Sequence, residues 1–154
     1  MCQRIRAAMT DKGSGSLTGD VVELDETWVG GKAKNKHRSA RYVPKTPIIG
    51  AISRKGRVVA RVLDAVNNNT VDEFMSETGS TKVDLVASDE STSYLRLPAR
   101  GFRHATVNHS RGEYVRGNVH TANIDSFWSL LKRGIMGSFQ NVSKKYLPGA
   151  CQRL

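Results

Sequence analysis

Asp25 closes an apolar run, Val21-Val22-Glu23-Leu24, that reads as a β-strand. A carboxylate in such a strand costs desolvation energy unless it is paired or meets a cation. Any fold for this chain must therefore bring a counter-charge or a cation to that strand. Two more acids are placed in the same way. Asp89 follows the apolar strand at residues 82–88, and Asp125 stands in the first turn of an amphipathic helix over 123–135.

The elements between them narrow the fold. Residues 47–53 and 57–64 read as two strands joined at Lys55-Gly56, hence a hairpin. Asn67-Asn68-Asn69 is a turn, and Thr70 is the expected cap of a short helix over 71–75. Residues 91–97 are expected to be helical, whereas 99–117 give no assignment. Ile124, Phe127, Leu131 and Ile135 recur at helical spacing and predict a buried stripe on the last helix. Strand, hairpin, helix, strand, irregular region and helix together predict an α/β mixed sheet covered by helices. Residues 11–19, rich in Gly and Ser, read as a flexible connector.

Charge restricts the partner. The chain has 154 residues, with 24 Lys and Arg against 14 Asp and Glu, giving a net charge of +10. One domain and a polyanionic partner fit these values, because each neutralised phosphate releases a counterion. Residues 32–41 hold Lys32, Lys34, Lys36, Arg38 and His37 with almost no apolar residue, as a basic loop that contacts phosphate or is simply solvated. Cys2 and Cys151 form no C-x-x-C, so neither a zinc ribbon nor a disulfide framework is expected, and a reducing cytoplasm is. No apolar run reaches the roughly 20 residues that cross a bilayer.

Three separated acids suit Mg²⁺, which takes oxygen ligands and keeps waters. Two such ions about 4 Å apart serve phosphodiester chemistry. Thirty-five residues separate Asp89 from Asp125, and Lys132 follows seven positions later on the same helix face. Taken singly, an Asp at a helix N-terminus is a favourable dipole contact, and an acid and a lysine on one face are solvated. Glu26, next to Asp25 on a strand, is expected to face away, and Glu90 is a candidate supporting acid. His104, His109 and His120 fit no zinc spacing and are expected at the surface or facing DNA. Trp28 and Trp128 are expected in the core, with base stacking as the alternative.

On these residues the chain resembles the ISXO-type DDE transposases of bacterial insertion sequences, across about residues 17–147. Residues 23–32 (ELDETWVGGK) resemble the family's first-aspartate motif, and Ser88-Asp89-Glu90 with Tyr94 the second. Val107-Asn108-His109-Ser110 and Gly112-Glu113-Tyr114-Val115 are similar to the stretch before the last helix. Residues 120–134 (HTANIDSFWSLLKRG) resemble the third-acid helix with its trailing lysine, and 142–147 the tail beyond it.

The resemblance implies an RNase H-like fold, Mg²⁺ or Mn²⁺ at a two-metal site, and cleavage of a transposon end followed by strand transfer to target DNA. It implies Asp25, Asp89 and Asp125 as metal ligands and Lys132 as a phosphate contact. His109, Arg133, Lys144 and Lys145 would extend the DNA surface with the basic loop. DNA, a homo-oligomer assembled on it, and a bacterial, nucleoid-associated location follow by the same resemblance, with no membrane.

Asp125 departs from the family, which usually has Glu or Asn there. Residues 1–16 are expected to be the remnant of an upstream helix and linker, 17–147 the catalytic domain, and 148–154 a divergent tail, so a truncated copy is expected. Two alternatives stay open: a catalytically inactive DNA-binding remnant, and a host RNase H-like nuclease.

Overall fold

The computed structural model describes residues 17–30, 45–54, 57–108, 110, 112, 115–117 and 119–137. Five strands form one sheet: β1 (Leu17–Val29), β2 (Thr46–Ser53), β3 (Val58–Val62), β4 (Gly79–Ser88) and β5 (His104–Thr106). Their order is β3-β2-β1-β4-β5. The expected hairpin is β2–β3, antiparallel, and β2 also runs antiparallel to β1. On the other side β4 runs parallel to β1, and β5 parallel to β4. The expected mixed sheet is thus the observed one, with β1 at its centre.

Helix α1 (Asn68–Thr78) and helix α2 (Ala122–Gly137) cover opposite faces. Alternation along the central strands sorts the two cores. Val22 and Leu24 of β1, with Ile49 and Ala51 of β2, pack with Val71, Phe74 and Met75 of α1. Val29 of β1 and Ile48 of β2 pack with Ile124, Phe127, Trp128, Leu131 and Ile135 of α2. The predicted helical stripe is therefore buried in full. Strand β1 starts earlier than expected, taking in part of the presumed connector. Its pairing with β4 shifts register between Leu17 and Gly19, where Gly19 has φ 136°. That shift lets Leu17 join the same core as Val22 despite its odd position.

Two local readings are corrected. Asn67, not Thr70, caps α1: its Oδ1 accepts from the amides of Asn69 at 2.9 Å and Thr70 at 3.0 Å. Thr70 instead reciprocates, its Oγ1 accepting from the Asn67 amide at 3.1 Å, as in a capping box. Asn67→Ala is expected to destabilise the fold by about 1 kcal/mol in urea unfolding, the usual worth of an N-cap. Residues 91–97 form a short 3₁₀ turn (Thr92–Tyr94) rather than a helix, and a second follows at Pro98–Arg100. The unassigned region contains edge strand β5.

A groove of about 730 Å³ opens beside α1, lined by Asp72, Met75, Val83, Leu97, Arg100 and Phe102 among others. It lies on the α1 face, and none of the three aspartates lines it. No described helix is long and apolar enough to cross a membrane.

Candidate active site

The parallel β1–β4 pairing aligns two of the three acids. Glu23 sits opposite Ala87, so two residues onward on each chain come Asp25 and Asp89. Both point of departure and direction are shared, which puts the two at the same end of the sheet. Helix α2 supplies the third. Its N-terminus docks on β1, and Asp125 stands in its first turn.

Asp25 is on the α2 face of β1, where its Oδ2 accepts a 2.9 Å hydrogen bond from Trp128 Nε1. A glycine makes that contact possible. Gly50 of β2 is the register partner of Asp25, and a Cβ there would come 2.5 Å from Cη2 and 2.7 Å from Cζ2 of Trp128. With only hydrogen at this position, the indole comes close against β2 and its Nε1 reaches the carboxylate.

Burial is the main cause that pushes the Asp25 carboxyl up from 3.8 to about 6. The charges of Asp89 and Asp125 push the same way, while the bonds from Trp128 and the Glu26 amide oppose it. Asp25 thus feels the charges of both other predicted acids. Each is held by a hydrogen bond of its own. Asp89 Oδ1 accepts from the Ser91 amide at 3.0 Å, and Asp125 Oδ2 from Thr121 Oγ1 at 3.2 Å. Among the described residues, no three His, Cys, Asp or Glu side chains are gathered closely enough to hold a metal ion as they stand.

Glu26 answers the expectation only in part. It points away from α2, as a strand neighbour must, but remains within the field of the site. Burial first, then the charges of Asp89 and Asp25, raise its carboxyl from 4.5 to about 7, opposed by a bond from Ser91. Its Oε2 is buried with no hydrogen-bond partner. The three candidate ligands are all carboxylates, and Asp25 among them is held up by burial and by the charges of the other two. A divalent cation would relieve both penalties, so the residues fit Mg²⁺ or Mn²⁺.

Lys132 and Arg133 are exposed on α2, Lys132 about 10 Å along the axis from Asp125. Lys32, Lys34, Lys36, Arg38, His109, Lys144 and Lys145 lie outside the described residues. Glu90 is exposed and accepts from the amide and hydroxyl of Ser110, tying down the loop after Asp89. Trp128 is buried as expected, but Trp28 is 48% exposed, which corrects its placement in the core. As the neighbour of Thr27 and Val29, Trp28 points to the α1 face at the end of β1. His104 is half-buried rather than superficial, 2.8 Å from Ser88 Oγ, and burial lowers its pKa.

Glu23 was overlooked by the sequence reading. It is the one fully buried carboxylate among the described residues. Its Oε1 meets Arg54 Nε at 3.0 Å, Asn123 Nδ2 at 2.7 Å and His120 Nδ1 at 3.3 Å. Its Oε2 accepts from the amides of Asn123 at 2.9 Å and Ile124 at 3.1 Å. The signal was present: Glu23 lies deeper in the same apolar run as Asp25 and faces the same way.

Known proteins share this arrangement of strands and helices. The catalytic core domain of HTLV-2 integrase, solved with magnesium in a dimeric form, superposes with a TM-score of 0.51 over 90% of this chain and 85% of that one, at 15% identity. Its trimeric form gives 0.51 at 14% identity over the same shares. The simian T-cell lymphotropic virus intasome in complex with the PP2A regulatory subunit B56 gamma gives 0.52 at 14% identity, over 89% of this chain and 48% of that one. Identities this low establish the fold, which is RNase H-like, as expected. A comparison with curated proteins finds no match. The ISXO2-like transposase domain matches residues 16–149, nearly the whole chain, a span within which the three aspartates lie. With its acids on β1, after β4 and on α2 of an RNase H-like sheet, the chain belongs to the ISXO2-like transposase domain family.

Proposed function

We propose that residues 17–147 form the catalytic domain of a DNA transposase that uses Asp25, Asp89 and Asp125 to hold Mg²⁺ or Mn²⁺. The observation that carries this reading is geometric: Asp25 and Asp89 come at the same end of the neighbouring parallel strands β1 and β4, and the first turn of α2, which holds Asp125, is bonded to β1. Bound divalent ions would stabilise the charge that develops on the phosphodiester oxygens.

The chain's own groups have separate tasks. Asp25 and Asp89, at the ends of neighbouring parallel strands, form the fixed side of the site. Asp125 closes it from the helix. Trp128 fixes the Asp25 carboxylate and seals its α2 side against water. Lys132 and Arg133, exposed farther along α2, receive the phosphate backbone. The reaction is hydrolysis of a phosphodiester at a transposon end, followed by attack of the freed 3′-hydroxyl on target DNA. The excess of ten positive charges favours DNA as the partner. Related integrase cores are described in dimeric and trimeric forms, which supports assembly of this chain as an oligomer on paired ends.

The test is nicking of supercoiled plasmid by the purified chain with Mg²⁺, against Asp89→Asn. Nicking by the wild type and a loss of about 100-fold or more in the variant is the expected result. Nicking by neither protein, with DNA binding retained, would identify a catalytically silent DNA-binding domain instead. Preferential cleavage of RNA–DNA hybrids without strand transfer would point to an RNase H-like nuclease.

A further inference from the structure

We infer that Glu23 is the positioning residue that sets Asp125 against Asp25; the inference rests on the metal site proposed above. Glu23 stands two residues before Asp25 on β1 and points to the same face. Its carboxylate binds the amides of Asn123 and Ile124, which immediately precede Asp125. One buried side chain therefore spans from the strand that carries the first acid to the helix turn that carries the third.

The bond pattern fixes more than the presence of the helix. The two amides are among those left open by the first turn of any helix, and both meet one oxygen, Oε2. The other oxygen, Oε1, meets Arg54, His120 and the Asn123 side chain from separate directions. Arg54 reaches in from the end of β2, so the β1–β2 edge is also tied to this point. A carboxylate held from both oxygens has little freedom to rotate or slide. The start of α2 is then fixed along and across β1, and Asp125 with it. Trp128, one turn further on, makes the second tie at Asp25. Hydrophobic packing of Ile124, Leu131 and Ile135 buries α2 but tolerates a shift along its axis; directional bonds to a buried charge do not.

Manganese titration of the full chain, read by calorimetry, tests the inference together with Trp128 fluorescence in a Trp28→Phe background, where Trp128 is the sole indole. Glu23→Gln keeps the size but turns an amide NH₂ toward donors. It is expected to weaken Mn²⁺ binding at least tenfold and to shift Trp128 emission to the red, with the far-ultraviolet circular dichroism of the sheet retained. Asn123→Ala removes one side-chain donor and leaves both backbone bonds, so it is expected to weaken binding only a few-fold. Ile135→Ala loosens the far end of α2 without touching Glu23, and is expected to lower the melting temperature while leaving Mn²⁺ affinity unchanged.

A folded Glu23→Gln protein with wild-type Mn²⁺ affinity and emission overturns the inference. If Glu23→Gln does not fold, wild-type affinity in Asn123→Ala overturns it. An equal loss of affinity in Ile135→Ala also overturns it, because the effect would then follow stability alone. Failure of the underlying site looks different: the wild type and Asp25→Asn would bind Mn²⁺ equally poorly, and this would remove both claims.

Discussion

Asp25→Asn is expected to abolish Mg²⁺-dependent cleavage while making the metal-free protein more stable at pH 8. The first effect follows from loss of a ligand and should exceed about 100-fold. The second follows from the folded-state carboxyl. Asp25 titrates at about 6 when folded, against 3.8 when unperturbed, so between these values the folded chain holds a proton that the unfolded chain has lost. Stability therefore falls as pH rises from about 4 to about 6, and the whole penalty is present above that window. Asparagine keeps the acceptor for Trp128 and carries no charge. The gain at pH 8 is on the order of 2–3 kcal/mol, or roughly 5 °C or more in melting temperature. It should disappear near pH 4, and saturating Mg²⁺ should reverse the ranking. Equal melting curves for both proteins at pH 8 without divalent ions would contradict the electrostatic account of the site.

Gly50→Ala is the second large effect. Its Cβ would stand 2.5 Å from the Trp128 ring, and backbone on the central sheet has little room to retreat. The indole must swing away, which breaks its bond to Asp25 and lifts α2. A destabilisation of about 1–3 kcal/mol is expected, with loss of cleavage. Trp128→Leu removes the ring atoms in question. In that background Gly50→Ala should cost little, and a four-protein urea series should give a coupling of about 1 kcal/mol or more. Additive effects would mean that the glycine serves some purpose other than clearance for the indole.

Both predictions turn on features that sequence reasoning reached unequally. The central strand, the hairpin and the stripe on α2 were readable because each rests on a periodicity of apolar residues. Asp25, Asp89 and Asp125 stood out because a charge beside such a run requires a reason. Glu23 meets the same criterion, but inside the run its partners come from Arg54, His120 and Asn123, far along the chain, and leave no local mark in the sequence. Gly50 carried no signal, because its role depends on a ring 78 positions away in the chain. The cap of α1 was misplaced by three residues, as Asn67 and Thr70 are both good cappers and exchange bonds with each other. Strand β5 is three residues long, too short for alternation to show, and is held by pairing to β4 instead. Hydrophobicity alone points Trp28 to the core, whereas its place near the end of β1 leaves it half exposed.

The last described helix also governs how the chain comes into being. Among the described residues, α2 is the element that covers Val29, Ile48, Ile52, Val58, Ala60 and Val62 on their face of the sheet. During synthesis the five strands leave the ribosome first and wait with an oily side open to water. A message broken before codon 122 would thus yield a sticky half-finished sheet, a natural substrate for chaperones and proteases, rather than a smaller working protein.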